Sequence, residues 1–331
     1  MEPNPTQISM ELSSILKELP TFEKRGITEL SVHDKKISGD KNALLNLCRQ
    51  IQKDAPSLFV SLKTEASALD RNIIGELEKI YCSLEIPLVG TEKGDALLLD
   101  KKLYSSKADM LNRSNIVFGF DLEYGMKKGD SFKSFKDRLD FAVSLYPNHI
   151  DFSQLEDSTV KAKPSGIYSS KDIDFSSSIA FACKTFYSAG RAVPWFNSLV
   201  KALKISPSAF FADFGEWQIC NNCSKKTGFS PDEADHADIE KMQLVFIKEK
   251  LEEKRRMMLY DAVSDIVRLN GAFSRVAAEG EESTVETSYN PDDLLSPFAS
   301  DIPAFCDGVT MEPCKVRVFE GEDSPDYRIL T

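Results

Sequence analysis

The segment Asn115-Ile-Val-Phe-Gly-Phe-Asp121 opens a strand–helix–strand pattern from which the fold class follows. Its short apolar run ends on a carboxylate, as expected where a buried strand reaches the edge of a sheet. The next helix, predicted over residues 132–146, carries apolar side chains at i, i+3 and i+7 and lysines and aspartates opposite them. The run Asn148-His-Ile-Asp-Phe-Ser-Gln-Leu155 predicts a second strand. A helix between two strands is typical of a parallel sheet.

The chain before this segment repeats the same alternation. The sequence predicts a helix capped by Asp40, further helices near 8–19, 69–81 and 103–113, and strands near 27–32, 57–62 and 83–89. Five strands, each preceded by a helix, indicate an α/β fold. A complete eight-fold barrel takes about 250 residues. Residues 8–167 are too few for that, so we expect an incomplete parallel (β/α) barrel.

The rest of the chain, residues 168–331, is predicted to form a mainly helical C-terminal domain. After residue 171 the periodicity is helical, and one further strand is expected at 315–319. Residues 279–297 are acidic and contain proline and serine, which indicates a surface loop. Residues 1–7 are expected to be a flexible N-terminus.

Composition excludes several classes of protein. The chain has 331 residues, of which 41 are Lys or Arg and 52 are Asp or Glu, giving a net charge of -11. This charge disfavours a nucleic-acid-binding role. No run approaches the ~18 apolar residues of a membrane span, so no membrane role is expected. Seven scattered cysteines do not suggest a disulfide framework, and we therefore expect a cytoplasmic protein.

Two stretches in the first half resemble the core of the radical S-adenosylmethionine (SAM) superfamily. Ile116-Val-Phe-Gly-Phe-Asp-Leu-Glu-Tyr-Gly125 is similar to its fifth strand, and residues 130–152 are similar to the helix and sixth strand that follow. Residues 27–34, 58–64 and 84–92 are similar to its second, third and fourth strands. The resemblance covers residues 8–167. Within the superfamily it is greatest for the cobalamin-binding and coproporphyrinogen-dehydrogenase-like branch. It implies that the incomplete barrel is of the radical SAM type.

The resemblance also implies a SAM site at the carboxyl ends of the strands. Asp121 matches the strand-end carboxylate that approaches SAM, and Thr91 and Glu92 match a polar pair that touches its methionine or ribose part. The implied cofactor-binding residues are Asp121, Glu92, Thr91, Lys101, Lys63 and Asp34. The alternative is that these are solvated strand ends on a core that has lost its ligand.

One feature of the superfamily is missing from this sequence. The superfamily holds a 4Fe–4S cluster on a C-x-x-x-C-x-x-C loop, and the cysteines here, at 48, 82, 183, 220, 223, 306 and 314, nowhere have that spacing. Without three thiolates on one loop no cluster iron can be presented to SAM. We therefore expect that this polypeptide alone does no radical chemistry.

Two functional hypotheses follow. In the first, the chain is the C-terminal portion of a radical SAM-type enzyme acting on an unknown small-molecule substrate. The cluster loop, and a cobalamin domain, would then lie upstream or on a partner chain. In the second, the chain is a non-catalytic scaffold or binding protein on a degenerate half barrel, and a partner or its own helices cover the edge of the first strand.

A single C-x-x-C pair, Cys220-Asn-Asn-Cys223, raises the question of a metal. It is half of a four-ligand zinc site, which His236 together with Cys306 or Cys314 would complete. The alternatives are two structural thiols beside a helix, or a redox pair, which would need a thioredoxin-like context.

Overall fold

The computed structural model describes residues 12–94, 96–156, 159–322 and 324–330. The chain divides into two compact units: unit 1 is Met1–Thr91 with Leu99–Asp121, and unit 2 is Glu92–Leu98 with Leu122–Thr331. The expected flexible N-terminus, residues 1–7, lies outside the described residues, and the domain boundary expected near residue 167 falls inside unit 2. Across the described ranges, no helix is both long and apolar enough to cross a bilayer.

Helices and strands alternate through the first part of the chain, as the sequence predicts. In chain order they are α1 (Leu12–Phe22), β1 (Glu29–Val32), α2 (Lys35–Ser38), α3 (Lys41–Asp54), β2 (Phe59–Lys63), α4 (Arg71–Leu77), β3 (Tyr81–Pro87), β4 (Thr91–Lys93), β5 (Ala96–Leu98), α5 (Lys101–Arg113), β6 (Val117–Leu122), α6 (Phe132–Ser144), β7 (His149–Phe152) and α7 (Ser153–Glu156). The short helices α2 and α7 and the strand pair β4 and β5 are additions that the sequence did not predict, and α7 takes the place of the end of the strand predicted over residues 148–155.

Five of these strands form one sheet in the order β1-β2-β3-β6-β7. The neighbours β1 and β2, β2 and β3, and β3 and β6 run parallel. The predicted α/β class is therefore confirmed.

Side-chain caps explain where several helices begin. The Asp40 carboxylate accepts hydrogen bonds from the backbone N–H groups of Asn42 at 2.9 Å and Ala43 at 3.3 Å, so its predicted role at the start of α3 is confirmed. Asp70 caps α4 and Asp100 caps α5 in the same way. Each cap satisfies backbone donors that the first turn leaves without a partner.

The later part of the chain is mainly helical but also contains strands. Its elements are α8 (Ser170–Cys183), a π-helical turn (Lys184–Ala189), α9 (Phe196–Leu203), α10 (Pro207–Cys220), α11 (His236–Glu253), α12 (Tyr260–Glu279), β8 (Ser283–Thr287), α13 (Pro291–Leu294), α14 (Ile302–Gly308), β9 (Cys314–Glu320) and β10 (Pro325–Leu330). Strands β8, β9 and β10 form an antiparallel sheet with β9 in the centre.

This sheet corrects the expected surface loop at residues 279–297. Within that range the chain forms β8 and α13. In β8 only Val285 and Thr287 are buried, so the strand carries almost no apolar signal of its own. Its pairing with β9 sets Val285 beside the buried Val316, and this contact distant in sequence stabilises the strand.

Candidate functional site

The parallel sheet of unit 1 has one buried face and, along β1, β2 and β3, one open face, whereas on β6 both faces are buried from Phe118 onwards. Along β2, Val60 and Leu62 are 0% and 1% exposed, whereas the alternate residues Phe59, Ser61 and Lys63 all keep exposed surface. Strand β3 repeats the pattern, with buried Leu84 and Ile86 and partly exposed Tyr81, Ser83 and Glu85. Parallel sheets are normally covered on both faces by apolar packing. A polar, accessible face on such a sheet is therefore a candidate ligand-binding surface.

Three charged side chains meet at the carboxyl ends of neighbouring strands. Lys63 and Glu85 are partly exposed on the open face, whereas Asp121 is buried, at 5% exposed. The Lys63 Nζ donates to Glu85 Oε1 at 2.7 Å and to Asp121 Oδ2 at 2.8 Å. The strand register explains this contact. Lys63 pairs with Glu85, and Asp121 pairs with Pro87, which lies two residues beyond Glu85 on the same face. We call Lys63, Glu85 and Asp121 the charged trio.

The electrostatics of the charged trio favour binding over proton transfer by the lysine. Partial burial disfavours the Lys63 ammonium, but the hydrogen bonds and negative charges of Asp121 and Glu85 outweigh it and raise the pKa of Lys63. The amine therefore stays protonated and does not act as a base or nucleophile near neutral pH. His33 adds a titratable group, with its Nδ1 3.8 Å from Glu85 Oε2.

The structure brings Lys63 and Asp121 together and gives the other predicted residues different surroundings. Asp34 accepts from the N–H of Lys36 at 2.7 Å and so caps α2. Glu92 Oε1 accepts from the N–H of Lys128 at 3.2 Å. Thr91 is exposed at the start of β4, and Lys101 is exposed at the first position of α5. Glu85, which the sequence analysis did not select, joins the trio because only the strand register reveals it.

A buried ion pair in unit 2 was also missed by the sequence analysis. Arg138 and Asp130 are 5% and 3% exposed, with Nη1 and Oδ1 2.8 Å apart. Arg138 Nη2 donates to the Glu123 carbonyl at 2.7 Å, and Asp130 Oδ2 accepts from the Gly125 N–H at 2.8 Å. The pair thereby fixes the loop at residues 123–130. The sequence signal for this pair was an aspartate, Asp130, just before the helix that carries Arg138 on its apolar face.

The cysteines do not gather into a metal centre. Cys220 is exposed at the end of α10, while Cys223 is buried with its Sγ 3.6 Å from the Gln218 carbonyl. In the part of the chain that the structure describes, no three His, Cys, Asp or Glu side chains are grouped so that they could hold a metal ion. His236, considered as a zinc ligand, instead accepts a hydrogen bond from Arg275 at 3.1 Å.

That histidine lies in the wall of a polar cavity of about 580 Å³ in unit 2. Arg275 donates to the His236 Nδ1 and, at 2.7 Å, to Glu240 Oε2. Arg191 pairs with Glu279 across the same cavity. The ion pair of Arg275 with Glu240 links α12 to α11, which gives this cluster a structural role.

Comparison with known proteins gives a partial likeness in structure alone. No family model and no curated protein matches the chain. The radical SAM methyltransferase TsrM from Kitasatospora setae, solved with cobalamin and a 4Fe–4S cluster, matches with a TM-score of 0.35 and 16% identity over 44% of this chain and 31% of that chain. Its structure with tryptophan substrate and the SAM analogue aza-SAM gives the same TM-score and identity over 44% and 30%. The match thus spans less than a third of that enzyme's length, and it says nothing of what this chain binds.

Proposed function

We propose that unit 1 belongs to an incomplete radical SAM-type barrel, and that the chain binds SAM at the charged trio. The observation that carries the proposal is the meeting of the partly exposed Lys63 and Glu85 with the buried Asp121 at the carboxyl ends of parallel strands. Ligands of open α/β sheets bind at that end of the strands. The sequence resemblance over residues 8–167 supports the choice of SAM.

The trio offers complementary charge to each polar part of SAM. The Lys63 ammonium suits the methionine carboxylate, and the Asp121 and Glu85 carboxylates suit the ammonium, the sulfonium or the ribose hydroxyls. SAM, when bound, supplies an activated carbon–sulfur bond. Within the same proposal, Asp34, Thr91 and Lys101 of unit 1 are secondary contacts.

The residues of this chain do not fit the 4Fe–4S cluster of the superfamily. A site-differentiated cluster needs three thiolates on one loop, and the described cysteines are dispersed. We therefore derive no redox step for this chain. As a further part of the proposal, the cluster and the small-molecule substrate site are completed by another polypeptide segment. The second candidate, a non-catalytic scaffold or binding protein on a degenerate half barrel, is favoured by the same lack of thiolate ligands.

Isothermal titration calorimetry with SAM tests the proposal. We expect saturable binding that weakens about 10- to 100-fold in Lys63→Met and in Glu85→Gln, because a hydrogen bond to a charged group contributes about 1.5–3 kcal/mol. The matched control is Asp109→Asn, which removes an exposed carboxylate paired with Arg113 on α5. Equal affinity in the trio variants and the control, or no binding by the unaltered chain, contradicts the proposal.

Anaerobic iron–sulfide reconstitution separates the partial enzyme from the binding protein. The isolated chain is expected to assemble no stoichiometric 4Fe–4S cluster in either case. Repeating the reconstitution with the proteins encoded beside this gene tests for a cluster-bearing partner. A cluster whose spectrum changes when this chain and SAM are added supports the enzyme, and no such response supports the binding protein.

A further inference from the structure

A row of three serines crosses the open face of unit 1. Ser31 of β1 lies beside Ser61 of β2, and Ser61 lies beside Ser83 of β3. Adjacent strands are about 4.8 Å apart, so the three side chains stand side by side at that interval. Serine is a poor strand former, and its short side chain leaves room above the sheet.

The hydroxyls of this serine row are available for a ligand. Ser31 is exposed, and Ser61 and Ser83 are partly exposed. Within the described ranges, none of the three hydroxyls is hydrogen-bonded to another protein group. Each offers one donor and two acceptor positions, so the row presents a continuous set of unused hydrogen-bonding groups.

Exposed rings border the serine row on the side of the strand amino ends. Phe59 and Tyr81 lie side by side in register and are 42% and 68% exposed. Val117, the register neighbour of Ser83, is 42% exposed. Full burial of one such side chain would stabilise the protein by about 1.5–3 kcal/mol, and this free energy is lost while the side chain stays in water. The two neighbouring exposed rings therefore offer a small apolar surface against which a ligand ring can pack.

The charged trio borders the serine row on the opposite side. Lys63 and Glu85 lie two residues beyond Ser61 and Ser83 on the same face, and Tyr81 lies two residues before Ser83. Glu85 lies four positions beyond Tyr81 along the strand, which corresponds to about 13 Å. The face thus presents the charged trio at one end, hydroxyls in the centre and aromatic surface at the other end, where the exposed Glu29 lies in register with Phe59.

We propose that the serine row and the rings of Phe59 and Tyr81 bind the second substrate of the SAM site, a planar aromatic ring that carries a hydrogen-bonding substituent. This assignment as a substrate site rests on the proposed function. The ring stacks on Tyr81, its polar edge meets the serine hydroxyls, and the charged trio remains for SAM. The uncharged middle of the face favours a neutral ring over an anion or a cation.

Saturation-transfer NMR with phenol tests this subsite, with cyclohexanol as a probe of similar size that has a hydroxyl but no aromatic ring. We expect transfer to phenol that exceeds transfer to cyclohexanol several-fold. Tyr81→Ala is expected to remove most of the phenol signal, and the double variant Ser61→Val, Ser83→Val to reduce it. The control is Phe175→Ala, which removes a ring of α8 that is 46% exposed.

Two results would overturn the inference. One is a phenol signal that falls equally in Tyr81→Ala and Phe175→Ala, and the other is equal transfer to phenol and cyclohexanol. SAM titrations keep this test separate from the proposed function: Tyr81→Ala should leave SAM affinity unchanged, and Lys63→Met should weaken SAM while leaving the phenol signal. If SAM fails to bind but phenol maps to Tyr81, the aromatic subsite stands and its pairing with SAM is wrong.

Discussion

The imidazole of His236 is held in one protonation state by its neighbours. Arg275 Nη1 lies 3.1 Å from the His236 Nδ1. Because a guanidinium can only donate, Nδ1 must accept, and the ring proton is assigned to Nε2. Burial and then the charges of Arg191 and Arg275 lower the pKa of His236 to about 4.

This histidine predicts a loss of stability in mild acid. An imidazole in the unfolded chain has a pKa near 6.5, so the unfolded state takes up the proton first as the pH falls towards 4. The free energy of unfolding should decrease by about 2 kcal/mol between pH 7 and pH 5 from this residue alone. Urea denaturation of the unaltered chain and of His236→Gln at both pH values measures it. The variant should lose about 2 kcal/mol less than the unaltered chain, and equal losses would contradict the assigned protonation state.

The π-helical turn after α8 is stabilised by a neighbouring helix. A π turn widens the backbone, and here Gln243 of α11 donates its amide to the carbonyls of Phe186 at 2.8 Å and Gly190 at 2.9 Å. The turn carries Phe186 into the core, where its ring contacts those of Trp195, Phe196, Phe210, Phe214 and Phe246. Gly190 ends the turn at the point where the backbone lies nearest to the Gln243 side chain.

Substitution of Gly190 tests this packing. A Cβ there would lie 2.1 Å from Gln243 Nε2 and 2.3 Å from the Phe186 carbonyl. Gly190→Ala should therefore lower the free energy of unfolding by about 2 kcal/mol or more, through overpacking and the lost amide contacts.

The matched control is Gly75→Ala in α4, where a Cβ meets nothing within 4 Å. This change should raise the stability by about 0.5–1 kcal/mol, because alanine favours the helix. Thermal or urea denaturation compares both variants. Gly190→Ala with unchanged stability would show that the turn relaxes without cost.

The core of each unit limits how its thiols react. Burial raises the pKa of Cys48 to about 12 and that of Cys82 to about 11, and it raises the pKa of the fully buried Cys183 well above its ordinary value. A thiol reacts with modifying reagents in its thiolate form, so these three cysteines should react slowly in the folded chain. Cys220, in contrast, is exposed.

Titration with Ellman's reagent under native conditions should therefore give one fast thiol followed by slow ones. Cys220→Ser should remove the fast phase, whereas Cys48→Ser should leave it and reduce only the total released after denaturation. A fast phase that contains more thiols than Cys220 and the partly exposed Cys82, Cys306 and Cys314 would mean that buried cysteines are reached through opening of the units. Retention of the fast phase in Cys220→Ser would also contradict the assignment.

The sequence predicted the local features whose causes are local. Apolar spacing gave the helices and strands of the first part of the chain, and Asp40 gave the start of α3, because a cap depends on neighbours two or three residues away. The missing C-x-x-x-C-x-x-C spacing was equally visible, since cluster ligands must lie on one loop.

Tertiary structure decided what depends on contacts between distant segments. The register of β2 against β3 added Glu85 to Lys63 and Asp121 and aligned the three serines, and no periodicity within one strand reveals which residues lie opposite each other. The pairing of β8 with β9 turned an acidic segment into a strand. Backbone hydrogen bonds and cross-strand packing require a partner, so a strand with little apolar character is specified by its neighbour.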